Sequence, residues 1–285
     1  MYADDSQMYL SCEIEDIENA KSKLNKCLIE IQHWMQSNFL KMNKDKTDLK
    51  IFNPKAPIPF DLKYEGLKIT PSNTINILGV NIGNNLELNS FAVKKIQSCN
   101  FHLRNLFHIR KSLPYQARVT LVTNLVISNL DYCNSVFILA NNKIIQSMQT
   151  VLNKSIRFIF NLRYRSHTSP YLKKIHVLPI KFRIKFKICL IGYKIFYNIS
   201  PEYLQELFHQ HEPTTTIGLR RNSGRDDKMF HITITEIRQN TLFSQIKTNW
   251  NALPLSLRES TSISIFKSKL KTAFFLEAFQ LVEDI

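Results

Sequence analysis

Two adjacent carboxylates, Asp4 and Asp5, lie in the first ten residues, MYADDSQMYL. Oxygen ligands suit hard cations such as Mg²⁺, and phosphoryl-transfer enzymes use two such ions, about 3.5–4 Å apart, to hold the attacking and leaving oxygens. At the tip of a hairpin the two side chains would point at one such site. Aspartate is also common in turns, because its side chain bonds to the backbone. The pair alone therefore fits either a metal site or an ordinary turn.

A strand and a helix would position these carboxylates. The segment SQMYLSCEI alternates polar and apolar residues, which predicts a half-buried strand whose apolar side chains are Met8, Leu10, Cys12 and Ile14. From about Asp16 to Asn38 the apolar residues recur every three or four positions, and charged residues fill the other face. This spacing predicts an amphipathic helix.

Three more segments before residue 88 are predicted to be extended. Residues 48–52 form a short strand that Pro54 stops. FDLKYEGLKITP is a hairpin that turns at Glu65-Gly66. INILGVNI, residues 75–82, contains Gly79, which in a strand indicates a bulge or a close backbone approach. Residues 1–88 are thus predicted to be strands with one helix packed on them.

From residue 89 onward the apolar spacing becomes helical. KFRIKFKI alternates like a strand, but isoleucines from Ile180 to Ile195 hold a helical face for longer, and length favours a helix. Residues 209–228 are polar, with Pro213, Gly218 and Gly224, and indicate an exposed linker. An amphipathic segment, ISIFKSKLKTAFFLEAF, follows near the end. The predicted fold class is α+β.

The positive charge is concentrated in one region. The chain has a formal charge of +15, and residues 91–200 contain 18 Lys and Arg but one acid, Asp131. Such a surface repels itself unless an anion is present, so the pattern indicates an anionic partner such as nucleic acid. For Asp131 we expect a salt bridge or a helix-end role rather than catalysis.

Composition sets further bounds on the class of protein. A chain of 285 residues with 44% apolar content can fill a real core. Its five cysteines form no C-x-x-C pair, and His167, His176, His209 and His211 have no cysteine near enough for a familiar zinc set. No apolar run approaches the roughly 18 residues of a membrane span, and the acidic N-terminus lacks the features of a secretory signal. We expect an intracellular protein of the nucleus or cytoplasm, neither secreted nor bound to a membrane.

A succession of motifs resembles one family closely. Y-A-D-D at residues 2–5 is followed by W-M-x-x-N-F-L-K-M-N-x-x-K-T from Trp34 and by I-L-G-V from Ile77. In this order and spacing the chain resembles the reverse transcriptases of non-LTR retrotransposons (LINE elements of the jockey and chicken-repeat type). LVISNLDYCNSV, SPEYLQEL, WNALPLSLREST and FKSKLKTAFF extend the likeness over nearly all 285 residues. Gly83 and Phe91 depart from it, since the family often has aspartate and histidine there.

The resemblance implies a domain organisation. Residues 1–88 would be the C-terminal part of the polymerase palm, and residues 89–208 a basic helical thumb and post-polymerase region. Residues 209–228 would be the linker and residues 229–285 a C-terminal segment. Strands that normally pair with the rest of a palm would leave exposed edges on residues 1–88, prone to aggregation or docking.

The resemblance also implies roles for particular residues. Asp4 and Asp5 would be the catalytic carboxylates, with Asp4 the more direct ligand of Mg²⁺. Lys46 matches a lysine thought to neutralise departing pyrophosphate, although a solvated lysine fits equally well. Gly79 matches the hairpin that grips the primer end, where glycine permits close approach, although packing of the adjoining apolar residues is equally compatible.

The basic region would contact the RNA template and DNA primer. The resemblance implies that the thumb follows the template-primer duplex. The residues expected to contact its phosphates are Lys94, Lys95, Arg104, Arg110 and Lys111. Further cations follow, and Tyr164, Tyr171 and Phe182 could stack on unpaired bases. These later cations are Arg157, Arg163, Arg165, Lys173, Lys174, Lys181, Arg183, Lys185 and Lys187.

The resemblance therefore implies that the chain is a fragment of an RNA-directed DNA polymerase, which is a nucleotidyltransferase. In the family pattern the fingers and a strand with a third metal-binding aspartate precede Y-x-D-D, and here only Met1 does. We therefore expect the chain to be inactive alone. The alternatives are a non-catalytic nucleic-acid-binding helical module, or a genomic remnant without a role.

Overall fold

The structure is a computed structural model and describes residues 5–43, 46–52, 60–64, 67–83, 88–206, 208–210, 229–231 and 241–280. The chain divides into two compact units, Met1–Phe91 and Ala92–Ile285. The first contains one long helix and two hairpins. The described residues of the second unit form helices and one pair of two-residue strands. The α+β class predicted from the sequence is confirmed.

The first unit is organised around helix α1 (Ile17–Ser37), which follows a 3₁₀ turn at Ile14–Asp16. Strands β1 (Leu62–Tyr64) and β2 (Leu67–Ile69) form the predicted antiparallel hairpin. Lys21 Nζ of α1 lies 3.1 Å from Asp61 Oδ1, and this hydrogen bond lowers the pKa of the Asp61 carboxyl. This ion pair links α1 to the start of the first hairpin.

Residues 75–82 form a second hairpin rather than one strand with a bulge. Strands β3 (Ile75–Ile77) and β4 (Val80–Ile82) pair antiparallel, with Ile77 opposite Val80. The two residues between them, Leu78 and Gly79, both have positive φ, at 48° and 78°. Two successive residues in this conformation make the tight turn that suits a two-residue hairpin loop. A hairpin, which the resemblance implies at these residues, is therefore present, and the bulge that Gly79 indicated is not.

Two predicted strands are not present. Residues 6–13 form no strand, and Met8 and Leu10 are 42% and 44% exposed. The Cys27 Sγ atom of α1 lies 3.3 Å from Met8 Sδ, so this segment meets the helix through side chains. In the predicted strand at residues 48–52 only Leu49 makes a bridge, with Pro71. An alternating pattern does not supply the hydrogen-bonding partner that a strand needs.

The second unit is built from helices of very different length. Helix α2 begins at Asn89, in the first unit, and ends at Ile109. Helix α3 (Tyr115–Val122) continues through a π-helical turn (Thr123–Ile127) into α4 (Ser128–Asp131). The other α-helices and strands that the structure describes are α5 (Asn142–Phe160), α6 (Ser169–Lys174), α7 (Ile180–Phe196), α8 (Glu202–Gln205), β5 (His209–Gln210), β6 (Phe230–His231), α9 (Leu242–Asn251), α10 (Leu255–Arg258) and α11 (Ile263–Gln280).

Helix α7 settles the ambiguous segment KFRIKFKI. It begins after Pro179, whose ring is compatible with a helix start, and Ile184 and Ile188 are buried. The helix prediction is therefore confirmed. In the predicted linker, His209–Gln210 pairs with Phe230–His231, and residues 211–228 lie outside the described residues. The segment from Ile263 is a helix, α11.

The core of the second unit is aromatic. Trp250 of α9 is fully buried, with its ring centroid 5.4 Å from that of Phe196 and 5.8 Å from that of Phe266. A Cβ at Gly192 would lie 3.3 Å from Trp250 Cε3, so the small residue lets α7 and α9 approach closely. Tyr193 donates from its hydroxyl to the Ser260 carbonyl at 3.0 Å. Helices α7, α9 and α11 thus share one core.

Candidate nucleic-acid interface

The predicted catalytic residues are only partly described. Asp4 lies outside the described residues, Asp5 and Lys46 are exposed, and Gly79 is exposed at its turn. Among the residues that the structure describes, no group of three or more His, Cys, Asp or Glu side chains could hold a metal ion. The described residues therefore do not by themselves fit a Mg²⁺ site, and the metal stays a prediction of the resemblance.

The lone acid of the basic region has the structural role expected of it. Arg183 of α7 donates from Nε to Asp131 Oδ1 at 2.8 Å and from Nη2 to Asp131 Oδ2, so the pair is bidentate. Asn134 Nδ2 donates to the same carboxylate at 3.1 Å. The side chains of Asp131 and Arg183 are 27% and 18% exposed. This ion pair joins α4 to α7 and engages the Arg183 guanidinium within the fold.

Replacing Asp131 by asparagine should lower the free energy of unfolding by about 1–2 kcal/mol. This is near the lower end for charged hydrogen bonds, because both side chains keep contact with water. Glu277→Gln is the matched control, since its carboxylate lies 3.7 Å from Lys185 Nζ and is 48% exposed. Urea denaturation followed by circular dichroism would measure both variants. If Asp131→Asn and Glu277→Gln lowered the free energy of unfolding equally, a special role for the ion pair of Asp131 with Arg183 would be contradicted.

Eight other cations of this region lie on or next to α3, the last turn of α5 and α6. None of them makes an ion pair with a described residue. We call them, together with the aromatic rings between them, the basic face. Its cations are Arg110, Lys111, Arg118, Arg157, Arg163, Arg165, Lys173 and Lys174. Its rings are Phe107, Tyr115, Phe158, Phe160, Tyr164 and Tyr171.

Aromatic contacts bring the elements of the basic face together. The Phe160 ring at the end of α5 lies 5.6 Å from Tyr115 at the start of α3 and 4.8 Å from Tyr171 of α6. Phe107 of α2 lies 5.3 Å from Phe158. The sequence brings the three helix ends together because each of them carries an aromatic residue in its first or last turn.

Cations lie over these rings. Lys174 Nζ lies 5.8 Å from the centroid of Phe160, and Arg110 Cζ lies 5.4 Å from that of Phe107. Cation–π contacts of this kind orient a charge without neutralising it. The charges of Arg110 and Lys174 therefore stay available to an anion.

Arg157 and Arg118 hold buried donors that have no acceptor among the described residues. In each side chain the Nε atom is buried and without a hydrogen-bond partner. Arg157 Nη2 donates to the Ser166 carbonyl at 3.3 Å, so only part of its guanidinium is used. A buried donor left unpaired costs about 1–3 kcal/mol, and an anion bound nearby would offset part of that cost.

The structure divides the predicted phosphate contacts into groups. Arg110, Lys111, Arg157, Arg163 and Arg165 belong to the basic face, together with Lys173 and Lys174. The remainder lie elsewhere on α2 and on α7. These are Lys94, Lys95 and Arg104 on α2, and Lys181, Arg183, Lys185 and Lys187 on α7.

Sequence reasoning missed Arg118. It lies three residues after Tyr115 on α3, so it shares a side of the helix with an aromatic residue of the basic face. In the sequence only its position in the basic region indicated that Arg118 could bind phosphate, because nothing in the sequence shows that α3 packs beside α5.

Two buried cysteines are not nucleophiles. Burial raises the pKa of the Cys99 thiol to about 11 and that of Cys189 to about 12. Both therefore stay protonated near neutral pH, where the thiolate is the reactive form.

Several large apolar side chains of the first unit are exposed. Ile29 and Trp34 of α1 are 50% and 61% exposed, and Phe39, just after the helix, is fully exposed. Docking or aggregation through this unit, which the sequence predicts, stays a prediction.

Comparison of the chain with protein-family models, with curated proteins and with solved structures finds no match. Across the described ranges, no helix has both the length and the apolar character that a membrane crossing requires.

Proposed function

We propose that the basic face binds the phosphate backbone of nucleic acid, as part of a non-LTR retrotransposon reverse transcriptase that engages an RNA template and a DNA primer. One observation carries the proposal: eight cations without a carboxylate partner among the described residues lie on or next to three helices that aromatic ring contacts join. Basic residues that are merely solvated on a helical surface are usually interspersed with acids. Here the one acid of the region is engaged with Arg183.

Electrostatics favours an extended polyanion over a small anion. The cations are spread over the 3₁₀ turn Arg110–Ser112, α3, the end of α5, the following loop and α6. A single phosphate would meet only a few of them, whereas a nucleic-acid strand places one charge on every nucleotide. Binding would release condensed counterions in proportion to the phosphates neutralised.

The catalytic part of the proposal rests on the resemblance. Asp4, Asp5 and Lys46 would belong to the nucleotidyl-transfer site, with Gly79 beside the primer end and Mg²⁺ as the cofactor. The described residues contain no group of three or more side chains that could hold the metal. We expect no template-dependent primer extension by the parent chain with Mg²⁺ or Mn²⁺, because it is expected to be inactive alone. Synthesis by the parent chain would contradict that expectation, and its loss in Asp4→Asn would then support the role of Asp4.

Removing two charges from the basic face should flatten the salt dependence of binding. Arg163 and Arg165 are exposed in the loop between α5 and α6, so Arg163→Gln with Arg165→Gln should leave the fold intact. Each lost phosphate contact lowers the slope of log K against log salt by about 1, so the double variant should lower it by about 2. Fluorescence anisotropy with a labelled duplex, over a salt series, measures this slope.

The matched control changes the same charge elsewhere. Lys267 and Lys269 are exposed on α11, are two residues apart like the arginines, and have no described contact with the basic face. Lys267→Gln with Lys269→Gln should leave the slope unchanged. If both double variants lower it equally, binding follows net charge alone and the basic face is not the site.

A further inference from the structure

Tyr164 is the most exposed aromatic side chain of the basic face, since the other exposed rings, Phe107 and Tyr115, are each 42% exposed. Tyr171 is half-buried against Phe160 at 4.8 Å, and Phe182 of α7 packs edge-on against Phe274 at 5.9 Å. Tyr164 is 83% exposed. Of the three rings that the sequence offers for base stacking, only Tyr164 keeps an open face.

The loop that carries Tyr164 is held in place at both ends. Leu162 donates its backbone N–H to the Arg157 carbonyl at 3.0 Å, and Asn161 adopts a left-handed conformation with φ of 55°. On the other side of Tyr164, the Ser166 N–H donates to the Arg163 carbonyl at 3.1 Å, and the Ser166 carbonyl accepts from Arg157. A ring on a fixed loop loses less conformational entropy when it binds a ligand.

Cations flank the exposed ring. Arg157 Cζ lies 5.9 Å from the Tyr164 centroid. Arg163 and Arg165, its sequence neighbours, are both exposed. An aromatic platform with cations beside it is what binds a single strand, because the base stacks on the ring while the adjoining phosphates meet the charges.

We propose that Tyr164 stacks on an unpaired base, so that the basic face binds single-stranded nucleic acid in preference to duplex. This inference rests on the proposed function, since the phosphate contacts come from the same face. In a duplex both faces of an internal base are covered by its neighbours. Tyr164 then has no base to stack on, and only the phosphate contacts remain.

The experiment compares four chains on three ligands by fluorescence anisotropy: the parent, Tyr164→Ala, Tyr164→Phe and Tyr203→Ala. The ligands are a single-stranded RNA, a duplex with the same number of phosphates, and a single strand in which abasic sites replace the bases. Tyr203 is the matched control. It is also an exposed tyrosine, at 66%, in the second unit, but it lies on α8 beside Glu202.

We expect Tyr164→Ala to weaken binding of the single-stranded RNA by about 5-fold or more, since stacking on an aromatic ring contributes about 1–3 kcal/mol per base. Its binding of the duplex and of the abasic strand should match that of the parent chain. Tyr164→Phe should bind like the parent, because it keeps the ring. Tyr203→Ala should bind all three ligands like the parent.

Three results would overturn the inference while leaving phosphate binding in place. These are an unchanged affinity of Tyr164→Ala for single-stranded RNA, an equal loss on all three ligands, and a loss in Tyr164→Phe as large as that in Tyr164→Ala. Failure of the parent chain to bind any of the ligands would instead refute the proposed function, and the inference with it.

Discussion

Raising the salt concentration from about 50 to about 200 mM should weaken duplex binding by the parent chain about 10³-fold, if six of the eight cations of the basic face contact phosphates. The physical reason is counterion release: each neutralised phosphate frees condensed cations, and a more concentrated salt solution opposes that release. The expected slope of log K against log salt is about −5 for duplex and about −4 for a single strand.

This measurement separates three views of the chain. A slope near zero, or no binding, would contradict phosphate recognition and favour a remnant without a nucleic-acid role. A steep slope that the Arg163 and Arg165 substitutions do not change would place the site on other cations, such as those of α2 or α7. A steep slope that those substitutions flatten would support the basic face as the site.

Replacing Trp250 by alanine should lower the free energy of unfolding of the second unit by about 3–5 kcal/mol. Trp250 of α9 is fully buried, with its ring centroid 5.4 Å from that of Phe196 on α7 and 5.7 Å from that of Phe230 on β6. Its removal takes away the packing partner of several rings at once. It also leaves a cavity, which the closely packed neighbours near Gly192 cannot readily shift to fill.

Trp34→Ala provides the comparison, because Trp34 is the other tryptophan of the chain and is 61% exposed. It should change stability by no more than about 0.5 kcal/mol. Urea denaturation followed by circular dichroism suits both variants, since it does not rely on tryptophan emission. A loss below about 1 kcal/mol for Trp250→Ala would contradict the assignment of this aromatic cluster as the main core of the unit.

Long periodic segments were predictable from the sequence because their apolar spacing repeats over several helical turns. The helix over residues 16–38 is α1, and the ambiguous segment near residue 184 is α7. The isoleucines from Ile180 to Ile195 decided the second case. Their spacing forms one continuous apolar face on a helix, whereas on a strand of that length they would be divided between its two faces. The hairpin at Leu62–Ile69 was likewise predictable from its turn residues.

Short extended segments were not predictable in the same way. Residues 6–13 have a strand's alternation but form no strand, and residues 48–52 form a single bridge. A strand is a property of two segments, and a local pattern describes only one of them. The apolar pattern of residues 75–82 likewise predicted one strand, and only the resemblance implied the hairpin that turns at Leu78 and Gly79.

The sequence by itself determined the charge asymmetry and the class of the fold. It also determined the role of Asp131, because a single acid among 18 cations has few alternatives to an ion pair. Only the tertiary structure decided which cations act together. It engaged Arg183 with Asp131, packed the helix that carries Arg118 against the end of α5, about 40 positions further along the chain, and left Tyr164 as the most exposed ring of the basic face. The physical reason is that packing, through the contact of Tyr115 with Phe160 and of Phe160 with Tyr171, determines which charges are neighbours.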